Sequence, residues 1–353
     1  MLSDNRRLYD ISTRVQVYTE GVKAQFAKEF SFVLFELREE FKKLLGRVQY
    51  KTLDGLTKAE LTKLVLSLRA SQHRIYSNYT EQVLKQLQEF MHASIYINRR
   101  AYVTARFELD TDKPEDQKPV SDQIAIRFIE DQRDFIPLYG SAAVTNNESR
   151  LWAFAHNEPI PANGLYLMPF LKTFSTSAQA SIENIVRMAW ANGTSVEETI
   201  ALITGEDAKQ GTSSQLQRIG VQNAAVTATA VQHIGTISAA AVASALFGFY
   251  GWFSVMDGKT SEICISRNLR IYRYGKGPLP PAHIRCRSHT SPVLENSDIA
   301  AESLYTWLAM QPQDVQDELL NGETIEEASA TKFEARPLTI KEFRQKINLV
   351  LSR

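Results

Sequence analysis

The chain has 353 residues, 44% of them hydrophobic and 23% charged, with 40 basic and 40 acidic side chains, 16 Gly, 12 Pro and two Cys. That length exceeds what one hydrophobic core usually serves, and that composition excludes a fibrous, wholly disordered or disulfide-built protein. A formal net charge of zero excludes a bulk nucleic-acid coater, whose affinity comes from neutralising phosphates.

The charge is unevenly placed. Residues 1–100 carry 17 Lys/Arg against 11 Asp/Glu, residues 257–289 carry seven against two, and residues 296–335 carry one against nine. Alternating basic and acidic segments suit docking to charged partners. The first residues, Met1-Leu-Ser-Asp-Asn-Arg-Arg7, lead into a charged amphipathic stretch without the apolar core and small-residue cleavage site of a signal peptide, and the two cysteines fit a reducing cytoplasm.

Val15, Val22, Phe26, Phe30, Val33, Leu34, Leu37 and Phe41 recur at helical spacing and predict one long helix. A turn is expected at Asp54-Gly55. Thr57-Lys-Ala-Glu60 then matches a capping box, opening a second helix through Leu61, Leu64, Leu68, Ile75, Tyr79, Val83, Leu87 and Phe90. Residues 1–98 therefore read as a long helical hairpin.

Residues 99–164 read as a mixed linker region. Tyr102-Val-Thr-Ala-Arg-Phe107 alternates like a strand, Asp110 to Pro119 is a polar Pro-containing loop, and the runs Ile124–Ile129 and Leu151–Phe154 fit either strand or helix. Helices resume from Leu171. One passes through Ile182, Ile185, Val186 and Trp190 to stop near Gly193, and a short one opens at the capping box Ser195-Val-Glu-Glu198. After the loop from Gly205 to Ser213, a long helix begins near Ser214 and ends before Gly248 or Gly251. No charged residue occurs from Ile219 to Met256, a length that passes a crude filter for a membrane span. Its Ala-rich composition, with Gln222, Asn223, Gln232 and His233, points instead to a buried core helix that lets neighbours approach closely.

Tyr250-Gly-Trp-Phe-Ser-Val255 turns strand-like, and Asp257-Gly258 is a turn dipeptide whose carboxylate or backbone Thr260 can engage. Leu269-Arg-Ile-Tyr-Arg-Tyr274 alternates as a strand, Gly275 to Pro281 forms a stiff loop, and His283 to Arg287 returns beside the corner. Short helices are expected at Ile299–Met310 and Pro312–Leu320, and a terminal one after Thr339. The expected fold is mainly α with a small antiparallel β element (α+β): the hairpin, then a helical core domain capped by a two- or three-stranded sheet around Trp252–Pro292. The expected domains are 1–98, 99–164, a core at 165–321 and a C-terminal tail at 322–353.

One cluster stands out: Trp252, Asp257, Thr260 and Cys264, then Pro280, Pro281, His283, Cys286 and Arg287. An aromatic strand, Asp-x-x-Thr, a Cys and Pro-Pro-x-His-x-x-Cys-Arg in this order resemble the signature of the phage Mu protein F family of minor head morphogenesis proteins. The resemblance covers residues 165–321, reaching upstream through the helix with Arg218, Asn223 and Ala224 and downstream to Trp307-Leu-Ala-Met-Gln-Pro312. Arg267-Asn268 stand where the family commonly has Asp-Gly. The resemblance implies a low-copy component of the head of a tailed double-stranded DNA phage and no reaction. It implies assembly in the host cytoplasm, a place in the virion head, and the portal protein or major capsid protein as partners. It also implies packaged DNA as a neighbour, no membrane in the assembled state, and a homo-oligomer around the portal.

Three readings of the Cys/His cluster stand side by side. In the first, Cys264 and Cys286 are small buried groups, Asp257, Thr260, His283 and Arg287 satisfy one another by hydrogen bonds, and the motif is the clasp of a small sheet; a disulfide between the cysteines is a variant. In the second, Asp257, Cys264, His283 and Cys286 hold a structural zinc, although Asp is an uncommon ligand there and Cys264 lacks a close second Cys. In the third, His283 activates Cys286 as a nucleophile, with no separate Asp or Asn evident to orient it, so that no catalytic residue is expected. Arg267, Arg270, Arg273, Lys276 and Arg285, interleaved with Tyr272 and Tyr274, form a candidate nucleic-acid contact that could track phosphates and stack bases.

Overall fold

The structure is a computed structural model that describes residues 2–110, 148–205, 213–257, 259–294, 304–309, 311–313, 316 and 317. Its elements run α1 (Leu2–Leu45), a 3-10 turn at Leu53–Gly55, α2 (Lys58–Asp110), α3 (Glu148–Asn157), α4 (Leu167–Ala191), α5 (Val196–Thr204), α6 (Gln215–Ala243), β1 (Phe249–Phe253), α7 (Glu262–Arg267), β2 (Ile271–Arg273), β3 (His289–Val293) and α8 (Leu304–Ala309). It is mainly helical with a three-stranded antiparallel sheet, as the sequence predicts.

The helix starts are local chemistry. Thr57 N–H donates to the Glu60 carboxylate at 2.8 Å, and Glu60 N–H returns to the Thr57 hydroxyl at 3.3 Å, which satisfies two N-terminal donors that have no carbonyl of their own. Glu198 N–H donates to Ser195 Oγ at 3.0 Å at the head of α5. Ser214 and Gln217 exchange the same pair of bonds, at 2.9 and 3.2 Å, at the head of α6.

α1 and α2 run antiparallel, as the pairs along them show. The Ser12 and Tyr102 hydroxyls meet at 2.9 Å, the Tyr18 and Phe90 rings lie 5.6 Å apart, Phe30 and Tyr79 lie 4.9 Å apart, and Arg74 reaches Glu36 at 3.2 Å. The strand expected at Tyr102–Phe107 is instead the continuation of α2, which ends at Asp110. Tyr102, Val103 and Ala105 are all buried, so the helix is enclosed on more than one side there and its apolar residues no longer mark a single face. Leu151–Phe154 is likewise helical, within α3. The runs at 111–119 and 124–129, the loop at 206–212, most of the expected helix at 312–320 and the terminal helix after Thr339 lie outside the described residues.

Two compact units emerge, one from residues 1–25, 87–167 and 228–353, the other from residues 26–86 and 168–227. α1, α2 and α6 each contribute to both, so the units do not follow the sequence boundaries at 98 and 164. In the second unit Phe174 of α4 packs edge-on against Phe30 at 5.7 Å and Tyr76 at 5.4 Å, and Asn223 donates to the Tyr79 hydroxyl at 2.9 Å. α6 is long and apolar enough to cross a membrane, yet 83% of its most apolar window is buried inside the protein, which fits the core helix expected from its Ala-rich sequence.

The first unit holds the sheet, in the order β2-β1-β3. Tyr250 of β1 stands opposite Tyr272 on one side and Pro292 on the other, and Trp252 stands opposite Thr290. Tyr9 of α1 packs its ring 4.6 Å from Phe253, and Asn5 accepts from the Leu294 N–H at 3.0 Å, so α1 seats the sheet at both ends of β3. The C-terminal segment closes on the same helix: Trp307 Nε1 donates to Asp10 at 2.8 Å, and Arg14 lies 5.6 Å over the Trp307 ring.

β1 and β2 are not joined by a simple tight corner. The corner at Asp257 is present, closed by Thr260 N–H donating to Asp257 O at 3.0 Å and by Asp257 N–H donating to Thr260 Oγ1 at 2.9 Å. Beyond it the chain makes α7 before entering β2, because Ser261 takes the extended N-cap conformation and Glu262 opens a helical turn. That turn carries Cys264.

Candidate metal-binding clasp

Trp252, the central aromatic of β1, is fully buried and forms a small core with Cys264 and Cys286, bordered by Tyr272 and Ala282. Its Nε1 donates to Ser254 Oγ at 3.1 Å, and that hydroxyl donates to the Cys264 carbonyl at 2.9 Å. Ser254 Oγ also lies 3.0 Å from Ser288 Oγ, while Ser254 N–H is received by Asn268 Oδ1 at 2.9 Å. The Arg267-Asn268 pair therefore closes the turn after α7 with a side-chain amide, and Leu269 takes the left-handed conformation at φ 62°.

Asp257 is the anchor of the corner. Its side chain is 2% exposed, both of its oxygens take a nitrogen of Arg287 at 2.7 Å, and Oδ1 also accepts from Lys259 N–H at 3.0 Å. Burial alone pushes this carboxyl up, but the bonds and charge of Arg287, with Lys259 and Thr260, outweigh it and hold Asp257 below the usual carboxylate range.

Cys264 and Cys286, packed against Trp252, meet His283. Cys264 Sγ lies 3.2 Å from His283 Nε2 and 3.7 Å from Cys286 Sγ, and the three donor atoms all lie within 4.8 Å of one another. With zinc–sulfur bonds of about 2.3 Å, two thiolates on tetrahedral zinc stand about 3.8 Å apart, a spacing that these two sulfurs match as thiols in contact also do. A covalent disulfide needs about 2.05 Å, and both cysteines are free thiols. His283 Nδ1 donates to the Ile284 carbonyl at 2.8 Å, which leaves the Nε2 lone pair for the cluster, the tautomer that metal-ligating histidines are held in. The group can therefore hold a metal ion.

The contact between the two sulfurs and burial push Cys264 up, while that contact, His283 and the backbone N–H groups of Ala282 and Ser288 hold Cys286 down. His283 is in turn raised, first by the neighbouring Cys286 sulfur. Donors gathered around a sulfur favour its anionic form, which is the form that a soft divalent cation binds.

Of the four ligands read from the sequence, the structure brings three together. Asp257 is turned away, both of its oxygens committed to Arg287. The basic residues divide as well. Arg270, Arg273, Lys276 and Arg285 are exposed, whereas Arg267 lies 5.1 Å over the Trp252 ring. Tyr272 and Tyr274 pack against Tyr250, with ring centroids at 5.7 and 4.8 Å; Tyr274 is 6% exposed and Tyr272 half-buried.

Sequence reasoning missed the polar net beneath the loop, formed by Gln16, Glu20 and Lys23 of α1 with Gln232 of α6. Its trace in the sequence is a Lys between Val22 and Phe26 in an apolar stripe and Gln232 within the charge-free run from Ile219 to Met256. Comparison of the chain with protein-family profiles, with curated proteins and with solved structures finds no match.

Proposed function

We propose that this chain is a minor head protein of a tailed phage that acts in head morphogenesis as a structural part, bound to the portal or the inner capsid surface, and not as an enzyme. The observation that carries the reading is the convergence of the signature. Trp252, Asp257, Thr260, Cys264, His283, Cys286 and Arg287 fold into one clasp in which each holds another in place. Cys264 is 2% exposed and Cys286 0%, which favours fastening over nucleophilic chemistry, since a reacting thiol must meet its substrate. Affinity capture of the chain from immature heads of a phage that encodes it tests this. The portal protein is expected in stoichiometric company, and recovery of the chain without portal or major capsid protein would contradict it.

Within this reading the Cys264–His283–Cys286 group supplies three of the four donors of a zinc that fastens α7 to the loop at 283–288. The tetrahedral sulfur spacing and the tautomer of His283 support it.

A second reading, an internal or ejected virion protein that binds DNA, draws on the four exposed cations Arg270, Arg273, Lys276 and Arg285. Retention of duplex DNA by the isolated chain, falling steeply with salt, would favour it.

A further inference from the structure

The loop that carries two of the three donors is fastened to the helices beneath it at three points. Arg285 N–H donates to Thr229 Oγ1 of α6 at 2.9 Å, the Ser288 carbonyl accepts from Gln232 Nε2 at 3.1 Å, and the Cys286 carbonyl accepts from Lys23 Nζ of α1 at 3.3 Å. Lys23 is 8% exposed and gives its other bonds to Glu20 and to Gln232 Oε1, both at 2.6 Å. An ammonium has three N–H donors, and here it meets three acceptors, so the nitrogen is fixed in place. Gln16 completes the net, donating to Glu20 at 2.7 Å and to Gln232 at 2.9 Å.

We propose that Lys23 is a positioning residue for the metal site: through the Cys286 carbonyl it holds the Cys286 sulfur at tetrahedral spacing from Cys264, so that metal loading and the seating of α1 against the loop stabilise each other. The inference rests on the structural-zinc reading above. Its reasoning is linkage. A contact that fixes the ligand-bearing backbone lowers the ordering cost of metal binding, and the bound metal must then strengthen that contact by the same factor. Lys23 lies far from the cysteines in sequence and touches no donor atom, so it acts through the backbone of the loop.

The test uses the full chain and zinc alone. Zinc affinity, read by competition with a chromophoric chelator, is compared for the wild type, Lys23→Met and Lys23→Arg, and amide exchange of residues 18–28 is followed with and without zinc. Lys23→Met is expected to weaken zinc by about tenfold or more, with Lys23→Arg recovering most of the loss, and zinc is expected to slow exchange in that stretch of α1. A Lys23→Met chain that binds zinc like the wild type, or exchange in α1 that ignores zinc, overturns the proposal. The wild-type exchange measurement decides alone if the Met variant does not fold. A wild type that binds no zinc at all sinks the structural-zinc reading itself, an outcome distinct from unchanged affinity in the variant.

Discussion

Arg287 reaches back across the clasp to take both carboxylate oxygens of Asp257 at 2.7 Å each, which closes the loop that begins at the end of β1 onto the residue that follows the second cysteine. Asp257 is 2% exposed and Arg287 24%, so each partner would leave a poorly solvated charge behind if the other were removed. Arg287→Met is expected to cost about 3–5 kcal/mol of unfolding free energy, read from urea titration, because breaking a buried pair leaves its carboxylate uncompensated. The double variant Asp257→Leu with Arg287→Met should recover a large part of that loss. A single variant that unfolds like the wild type would show the pair to be ornamental.

Gly277 is required for close approach. A Cβ there would fall 2.4 Å from both the Tyr250 hydroxyl and Tyr272 Cβ, and that hydroxyl is held by the Pro278 carbonyl at 2.7 Å. Gly277→Ala should therefore destabilise the sheet by about 1–3 kcal/mol, the usual range for overpacking a filled site. Thermal melting of the variant checks it, and an unchanged midpoint would mean that the loop yields without cost.

His233 gives the first unit a pH dependence. It is 2% exposed in α6, its Nε2–H donates to the Ala155 carbonyl of α3 at 3.2 Å, and burial pushes its pKa from 6.5 down to about 4. The folded state thus holds the neutral ring while the unfolded chain takes up a proton, so the stability it contributes is complete above about pH 6.5 and is lost as the pH falls toward about 4. The loss amounts to roughly 3 kcal/mol over that window. His233→Gln, which keeps an N–H donor and removes this titration, should make the curve shallower, leaving the share of His289, which burial also holds down at about 4, and equal slopes for both proteins between those pH values would refute the assignment.

The sequence made the helices legible wherever one face is buried and a cap is chemical. Thr57 with Glu60 and Ser195 with Glu198 form the capping bonds that their spacing predicts. It misled at Tyr102–Phe107, where burial of adjacent residues erased the helical period, and after Asp257, where α7 precedes β2. The three-donor group was visible as Cys264, His283 and Cys286, and the bonding of Asp257 to Thr260 and Arg287 was expected, whereas His283, expected in that same set, turns to the cysteines instead. Lys23 was out of reach. It acquires its role only when α1, α6 and the loop meet, and no local pattern encodes that meeting.

Cys264, His283 and Cys286 can hold a metal, and the metal content of the purified chain decides whether the proposed zinc closes the clasp. One equivalent of zinc per chain is expected, lost in Cys264→Ser, His283→Ala and Cys286→Ser, together with a melting temperature that a chelator lowers in the wild type and leaves unchanged in those variants. A chain without zinc after purification in its presence, with a melt indifferent to chelator, would contradict it.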